Sequence, residues 1–264
     1  VAGKDRKKQL ARQRYERQEQ RRQAEAARAR RVKIIGSVAG VVVLAGGGTA
    51  TAVVMKDDDK PKAKPAPVAS GCAYKAVDAA QAADSKKVGT PPGNPAYTGM
   101  VQATVKTGQG DIVMSLDASK APCTVNSFGF LAQKNYFDNT PCHRITGGGS
   151  LNVLQCGDPK GTGRGGPGYQ YANENTTGAK YPKGTLAMAN SGPDTNGSQF
   201  FMVYADSQLP PDYTVFGKIT KGVEVLEKAA KAGVADNKQE KGQPGFDGAP
   251  KEKVTIQDVT IVGK

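Results

Sequence analysis

The sequence predicts a mainly β protein, an antiparallel barrel capped by two helices, set behind a single transmembrane helix and a basic amino-terminal arm. Three observations lead there. Apolar and polar residues alternate through 101–106 and again through 111–116 around Gly108-Gln109-Gly110, the pattern of a β-hairpin. Two stretches change to helical spacing instead: in 122–134, Val125, Phe128 and Leu131 recur on one face behind Pro122, a residue tolerated in a first turn, and after Gly222 the same holds for Val223, Val225, Leu226 and Ala229. Finally, residues 34–55 run for 22 positions without a charge.

Taken in order, the 264 residues change composition sharply, so one folded domain with non-globular segments before it is expected. Charge is concentrated at the start. Of a net +13, residues 1–33 hold thirteen Lys or Arg against four acids. This basic arm has almost no apolar face and therefore no core of its own; it reads as a solvated helix or a disordered segment. Beside a membrane it would bind anionic lipid head groups, each Lys or Arg near the surface contributing roughly 1 kcal/mol. Nucleic acid is not the expected partner, because Tyr15 is the only aromatic residue there to stack on a base.

As a helix, residues 34–55 would reach about 33 Å, enough to cross a hydrocarbon core of roughly 30 Å. A cleaved signal sequence is the alternative, and the long charged region ahead of the segment argues against cleavage. Arg28, Arg30, Arg31 and Lys33 crowd its leading end, whereas Lys56 is followed by Asp57, Asp58 and Asp59. The positive-inside rule then places the amino terminus in the cytoplasm and everything after Met55 outside, on the cell membrane. Residues 56–99 read as a Pro/Lys/Ala-rich linker, its last part a tether or loose arm of the domain. Ala69-Ser70-Gly71-Cys72 imitates a lipoprotein processing box, but the charged linker separates it from the apolar run, so Cys72 is read as not lipidated.

Residues 100–264 form the folded domain, organised around 184–201. There, Thr185-Leu186-Ala187-Met188 and Gln199-Phe200-Phe201-Met202-Val203 read as two strands joined by an irregular run dense in Asn, Asp, Gly, Ser and Pro. The full string Leu-Ala-Met-Ala-Asn, Gly-Pro, Thr-Asn-Gly-Ser-Gln-Phe-Phe resembles the signature of the cyclophilins, peptidyl-prolyl cis/trans isomerases. Other segments resemble the same family: Cys142-His143-Arg144-Ile145 its Phe-His-Arg-Ile strand, Gln155-Cys156-Gly157-Asp158 its Gln-Gly-Gly-Asp strand end, and Phe216-Gly217-Lys218-Ile219 its Phe-Gly-Lys-Val segment. The overall organisation is most similar to a membrane-anchored bacterial, actinobacterial-like branch. The resemblance implies eight strands in the barrel, and no cofactor or metal.

It also implies roles. Arg144 would hydrogen-bond the prolyl nitrogen, Gln155 and Gln199 would orient the arginine and the peptide, the backbone of Asn190 would grip the peptide, and Phe201 would floor the proline pocket. Val153, Asn152, Gly161, Ser191, Leu209 and Tyr213 would complete the substrate site. Departures from the family pattern fall on the pocket. The turn between Arg144 and Gln155 is three residues longer than usual, spent on Gly147-Gly148-Gly149-Ser150; Asn152 stands where a Phe is usual, Val153 where Met is, Gln208 where Trp is, Tyr213 where His is, and Ser191 where Ala is. Asn152 is expected to line the pocket wall, the alternative being a one-residue bulge that turns Leu151 inward. Glutamine cannot reproduce an indole's apolar face and N–H together, so cyclosporin binding is expected to be weak.

Two other motifs fail on physical grounds. Gly163-Arg164-Gly165-Gly166-Pro167-Gly168 fits a dinucleotide fingerprint, but no helix begins there and Pro167 removes one donor. Cys142 and His143, as neighbours on a strand, would point to opposite faces and form no thiol dyad, so His143 is read as structural. Four cysteines (72, 123, 142, 156) outside a membrane allow two disulfides in three connectivities. With Arg144 and Gln155 on one face, strand parity places Cys142 on that face and Cys156 on the other, which argues against a Cys142–Cys156 bridge and leaves the other pairings open.

The expected function is isomerisation of X-Pro bonds in exported or membrane-near polypeptides, assisting their folding. The alternative is a membrane-anchored peptide-binding chaperone or adaptor with little turnover.

Overall fold

The computed structural model describes residues 71–238 and 245–263. The basic arm, the apolar segment 34–55 and the linker to residue 70 lie outside the described residues. Among the described residues no helix is long and apolar enough to cross a membrane.

The chain order is β1 (Lys75–Ala76), α1 (Ala79–Ala82), β2 (Met100–Thr107), β3 (Gly110–Asp117), α2 (Pro122–Gln133), β4 (Thr140–Pro141), β5 (Arg144–Gly147), β6 (Val153–Cys156), β7 (Tyr169–Gln170), β8 (Thr185–Met188), β9 (Phe200–Val203), β10 (Val215–Lys221), α3 (Val223–Ala232), β11 (Phe246–Gly248) and β12 (Thr255–Val262). One antiparallel sheet of ten strands runs β11-β5-β6-β9-β8-β10-β3-β2-β12-β4, and β1 pairs with β7. Two short edge strands, β4 and β11, raise the count above the expected eight, and α1 is a short third helix beside the two expected. Chain connectivity shows that the sheet curls. β4 ends the order at one edge and β5 stands second from the other, yet only Cys142 and His143 separate them, at most about 11 Å over three Cα steps.

Inside the curl, alternate residues of the strands meet the two longer helices. Val101, Ala103 and Val105 of β2, Ile112, Met114 and Leu116 of β3, Leu186, Met202 and Phe216 are buried with Val125, Phe128 and Leu131 of α2 and Leu226 of α3. β8 and β9 are buried at every position because their second face is covered too, by a smaller cluster of Val153, Tyr181, Ala187, Phe201 and Val203. That second cluster lies on the outer face of the sheet.

The disulfides correct one expectation. Cys142 is bonded to Cys156, with Cα atoms 4.0 Å apart, and Cys72 to Cys123. Parity fails because Cys142 and Arg144 do not share one strand. The Cys142 N–H still donates to Val254 O at the β4–β12 edge, and the chain passes through His143, outside either strand, before joining β6 through Arg144. Cys142 is thus free to face the interior with Cys156. The bridge fastens the β4 edge to β6 and closes the curl.

Residues 71–99 differ from a loose arm as well. Cys72 is bridged to α2, Tyr74 donates to Cys123 O (2.8 Å) and packs edge-on against Tyr169 and Tyr171, and Val77 N–H donates to Gly168 O beyond the β1–β7 pair. Tyr97 crosses α2 at Gly129, where a Cβ would lie 2.2 Å from the ring. These contacts come from isolated residues in a polar, Ala-rich stretch, so no periodicity announces them. With its sulfur in a bridge, Cys72 offers no thiol for lipid attachment.

Candidate active site

Strand register assembles the site. Arg144 opens β5 directly opposite Gln155 of β6; Gln155 is opposite Phe201 of β9, and Phe201 opposite Ala187 of β8. Cross-strand partners share a face, so these four side chains form one row on the outer surface of the curl. The next position along, Val153 opposite Val203, extends its apolar end.

At the polar end, a chain of hydrogen bonds runs in one direction. Arg144 Nη1 donates to Gln155 Oε1 (3.2 Å), Gln155 Nε2 to Gln199 Oε1 (2.8 Å), and Gln199 Nε2 to the Gly165 carbonyl (2.9 Å). Each amide is oriented by the next, and the terminal acceptor is fixed backbone. Asp158 holds that backbone in place. Fully buried, its carboxylate accepts N–H bonds from Lys160, Thr162 and Gly163 within the loop that leads to Gly165. Burial raises the Asp158 carboxyl, but hydrogen bonds from the Lys160, Gly165 and Gly163 backbone and the Thr162 hydroxyl outweigh it and hold the group below its ordinary value.

Arg144 has a second partner, from β11. Its Nε donates to Asp247 Oδ1 at 2.8 Å and its Nη2 to Oδ2 at 2.7 Å, a bidentate pair. These bonds hold the Asp247 carboxyl below its ordinary range despite burial, and raise the guanidinium in turn. Nothing in the sequence near Asp247 marks it, and it lies 103 residues from Arg144.

At the apolar end, Phe201 meets Tyr213 edge-on (centroids 5.6 Å apart) and Tyr181 at 6.2 Å. Leu151, Leu209 and Ala189 pack on the same cluster. Asn152 does not line this pocket as expected. Its amide donates to the carbonyls of Gly149 and Asp206, at 3.2 and 3.0 Å, so it ties down the glycine-rich turn. Leu151, just ahead of β6, packs against the Phe201 cluster and takes the wall position. Gln208, exposed, donates its backbone N–H to Ser150 O at 2.7 Å, steadying the other side of that turn.

Beside the row lies a cavity of about 420 Å³, lined by Gln155, Gln199, Asn190 and Ser191 together with Ala80 and Gln81 of α1. Asn190 Oδ1 accepts the Gly192 N–H and Asn190 Nδ2 donates to Asp212 O, which shapes the loop back toward β9. Gly161 belongs to neither group; it has a left-handed backbone (φ 66°) and lies against Pro141.

His143 is largely buried, and neither ring nitrogen has a hydrogen-bond partner among the described residues. Burial pushes its pKa down, more than Asp158 pulls it up, with Arg144 and Lys238 adding to the depression. With Cys142 in a disulfide, a thiol dyad is excluded by covalent chemistry as well. No helix follows Gly163–Gly168; the chain passes directly into β7.

The chain is similar to known proteins in this region. A family model, "Cyclophilin type peptidyl-prolyl cis-trans isomerase/CLD", matches residues 101–261. A protein of Mycobacterium leprae named "Probable peptidyl-prolyl cis-trans isomerase B" is 47% identical over 205 residues, covering 72% of this chain and 66% of that one. Its Mycobacterium tuberculosis namesake is 50% identical over 188 residues, 66% and 58% of the two chains. The match therefore spans about three fifths to two thirds of these relatives. A peptidyl-prolyl cis-trans isomerase-like 3 of Dictyostelium discoideum is 38% identical over 166 residues, 95% of its length. Among solved structures, a cyclophilin type peptidyl-prolyl cis-trans isomerase of Cryptosporidium parvum superposes with a TM-score of 0.53 at 31% identity, covering 62% of this chain and 99% of its own, and the same protein in the presence of the dipeptide Ala-Pro gives 0.52. With the signature strings, the curled sheet and a matched region that takes in more than half of its length, the chain belongs to the cyclophilin-type peptidyl-prolyl cis-trans isomerase family.

Proposed function

We propose that the chain catalyses cis/trans isomerisation of X-Pro bonds in exported or membrane-near polypeptides and so assists their folding. The observation that carries this reading is the row that sets a hydrogen-bonded guanidinium beside an aromatic-floored apolar pocket, Arg144–Gln155–Phe201. Rotation about an X-Pro bond faces a barrier near 18–20 kcal/mol, because the nitrogen lone pair is delocalised into the carbonyl. A donor aimed at that nitrogen localises the lone pair as the bond twists. Arg144 is suited to this, being permanently charged and rigidly forked, and the Gln155–Gln199–Gly165 chain holds it before substrate arrives. The proline ring would sit over Phe201, walled by Leu151, Val153 and Tyr213, so that pocket binding positions the bond against the arginine. The step requires neither a nucleophile nor a general base.

A proline-peptide isomerisation assay on the full chain tests the reading, and absence of turnover would sink it. Arg144→Ala should lower kcat/KM by about 10² to 10³, the range for removing one preorganised donor to a developing charge. The alternative of a peptide-binding chaperone with little turnover rests on a polar pocket wall, and Asn152, which would supply it, is turned to backbone carbonyls.

The membrane-anchored, extracytoplasmic setting is part of the proposal. It is supported by the charge asymmetry around residues 34–55 and by two disulfides that use all four cysteines, which fits an oxidising compartment. Protease added to intact cells should remove the isomerase domain while residues 1–33 stay protected. A fully protected domain would reverse the orientation.

A further inference from the structure

β11 is three residues long, lies outside the strings by which the sequence resembles the family, and contributes one side chain to the site. Both oxygens of that side chain, Asp247, are taken by Arg144, at 2.8 Å from Nε and 2.7 Å from Nη2. The strand that presents it is itself fixed. Asp247 N–H donates to Asn237 Oδ1 (3.1 Å), Lys238 N–H donates to Asp247 O (2.7 Å), and Gly245 lies so close to β5 that a Cβ there would be 2.1 Å from Gly147 O. The backbone that carries Asp247 is therefore held in place independently of the arginine.

A guanidinium offers five N–H donors in a plane. Asp247 takes the Nε donor and one on Nη2, and Gln155 takes one on Nη1. One N–H remains on each terminal nitrogen. An X-Pro bond presents two acceptors to this group, the carbonyl oxygen before the proline and the nitrogen that pyramidalises as the bond turns. Held by Gln155 alone, the guanidinium could still swing about the remaining side-chain torsions, whereas bonds along two of its edges fix both its plane and its direction.

We infer that Asp247 is a positioning residue for catalysis: through its bidentate clamp on Arg144 it aims the two remaining N–H groups at the carbonyl and the nitrogen of the X-Pro bond. The inference rests on the isomerase reading and deepens it. It also sets a direction of effect opposite to that of an inhibitory lock, in which the carboxylate would keep Arg144 from the substrate and its removal would raise activity.

The test uses the full chain in a proline-peptide isomerisation assay with Michaelis parameters resolved, on the unaltered protein, Asp247→Ala, Asp247→Asn, Arg144→Ala and the Arg144→Ala/Asp247→Ala pair. Asp247→Ala is expected to lower kcat by about 10- to 100-fold with little change in KM, the size of loss that follows misplacement of a catalytic group by about an ångström. Asp247→Asn, which keeps one oxygen in place and the shape of β11, should fall between. The double variant should be no worse than Arg144→Ala, because a residue that acts only through another adds nothing once that other is gone. An independent readout is the NMR signal of the Arg144 Nε–H, which should exchange slowly with solvent in the unaltered chain and fast in Asp247→Ala. Unchanged or raised kcat in Asp247→Ala, losses that add in the double variant, or equal Nε–H exchange in both proteins would overturn the inference. An unaltered chain without turnover would overturn the isomerase reading and this role with it, while an active chain with an indifferent Asp247→Ala overturns this role alone.

Discussion

Leu151 and Asn152 show how much rides on one residue of register. Leu151 packs with Val153 on the Phe201 cluster, so Leu151→Ala should raise KM by about tenfold and leave kcat nearly unchanged, the low end of what an apolar contact in a pocket is worth. Asn152→Phe should bring no gain in affinity, and should cost about 1 kcal/mol of stability by removing the amide's bonds to Gly149 and Asp206. Michaelis parameters for the two variants check this, and equal insensitivity at both positions would mean that neither residue touches substrate. Arg144, Gln155, Asn190, Gln199 and Phe201 were visible in the sequence because each stands in a short ordered string. Asp247 was not, since its partner lies 103 residues away and a three-residue strand carries no period to recognise. Asp158 was visible as the end of a motif, but its service to the Gly165 carbonyl depends on a loop that only the fold displays.

The elements divide in the same way. The opening hairpin and both long helices stand within about two residues of where alternation and spacing put them; the hairpin and α3 keep one face on the core and one toward solvent, whereas α2 is covered on its outer side as well by Cys72, Tyr74 and Tyr97. β8 and β9 show no alternation, since the barrel interior and the outer cluster around Phe201 cover their two faces; here the run of Asn, Asp, Gly, Ser and Pro between them, not a period, marked them as strands. The break between β4 and β5 at Cys142 and His143 escaped both kinds of reading, and with it the Cys142–Cys156 bridge. That bridge closes a sequence separation of 14 residues, so a Cys142→Ser/Cys156→Ser pair should lose about 3 kcal/mol in denaturant titration. An unchanged midpoint would mean that packing alone holds the β4 edge against β6.

Across the whole molecule, the depressed groups set the pH response of stability. His143 sits below its ordinary 6.5 because the folded chain disfavours its charge. Its contribution is complete above 6.5 and is lost as pH falls from there toward the folded value, where the unfolded chain binds the extra proton. Asp158 and Asp247, both below the ordinary 3.8, contribute fully above that value and lose their contribution as pH falls through their folded values. Urea midpoints should therefore be level from about pH 7 to about pH 9, decline gently below 6.5 and fall steeply only under about pH 4, while the buried tyrosines, raised above their ordinary 10.0 by burial, bring a second loss at higher pH. His143→Phe should erase the first decline; a decline that persists in the variant would assign it to another group.

The Cys72–Cys123 bridge also decides how the domain bears a mechanical load. Tension entering the chain at residue 71 passes through the sulfur atoms into α2 and continues from Cys123, so the 50 residues between the two cysteines form a covalent loop that carries none of it. That loop contains β2 and β3, which lie between β12 and β10 in the sheet. A pull from the amino-terminal side, such as a membrane anchor would transmit, therefore reaches a helix along its covalent backbone instead of peeling a strand from its neighbours. Reduction of the bridge would reroute the force through residues 73–99 and directly onto β2.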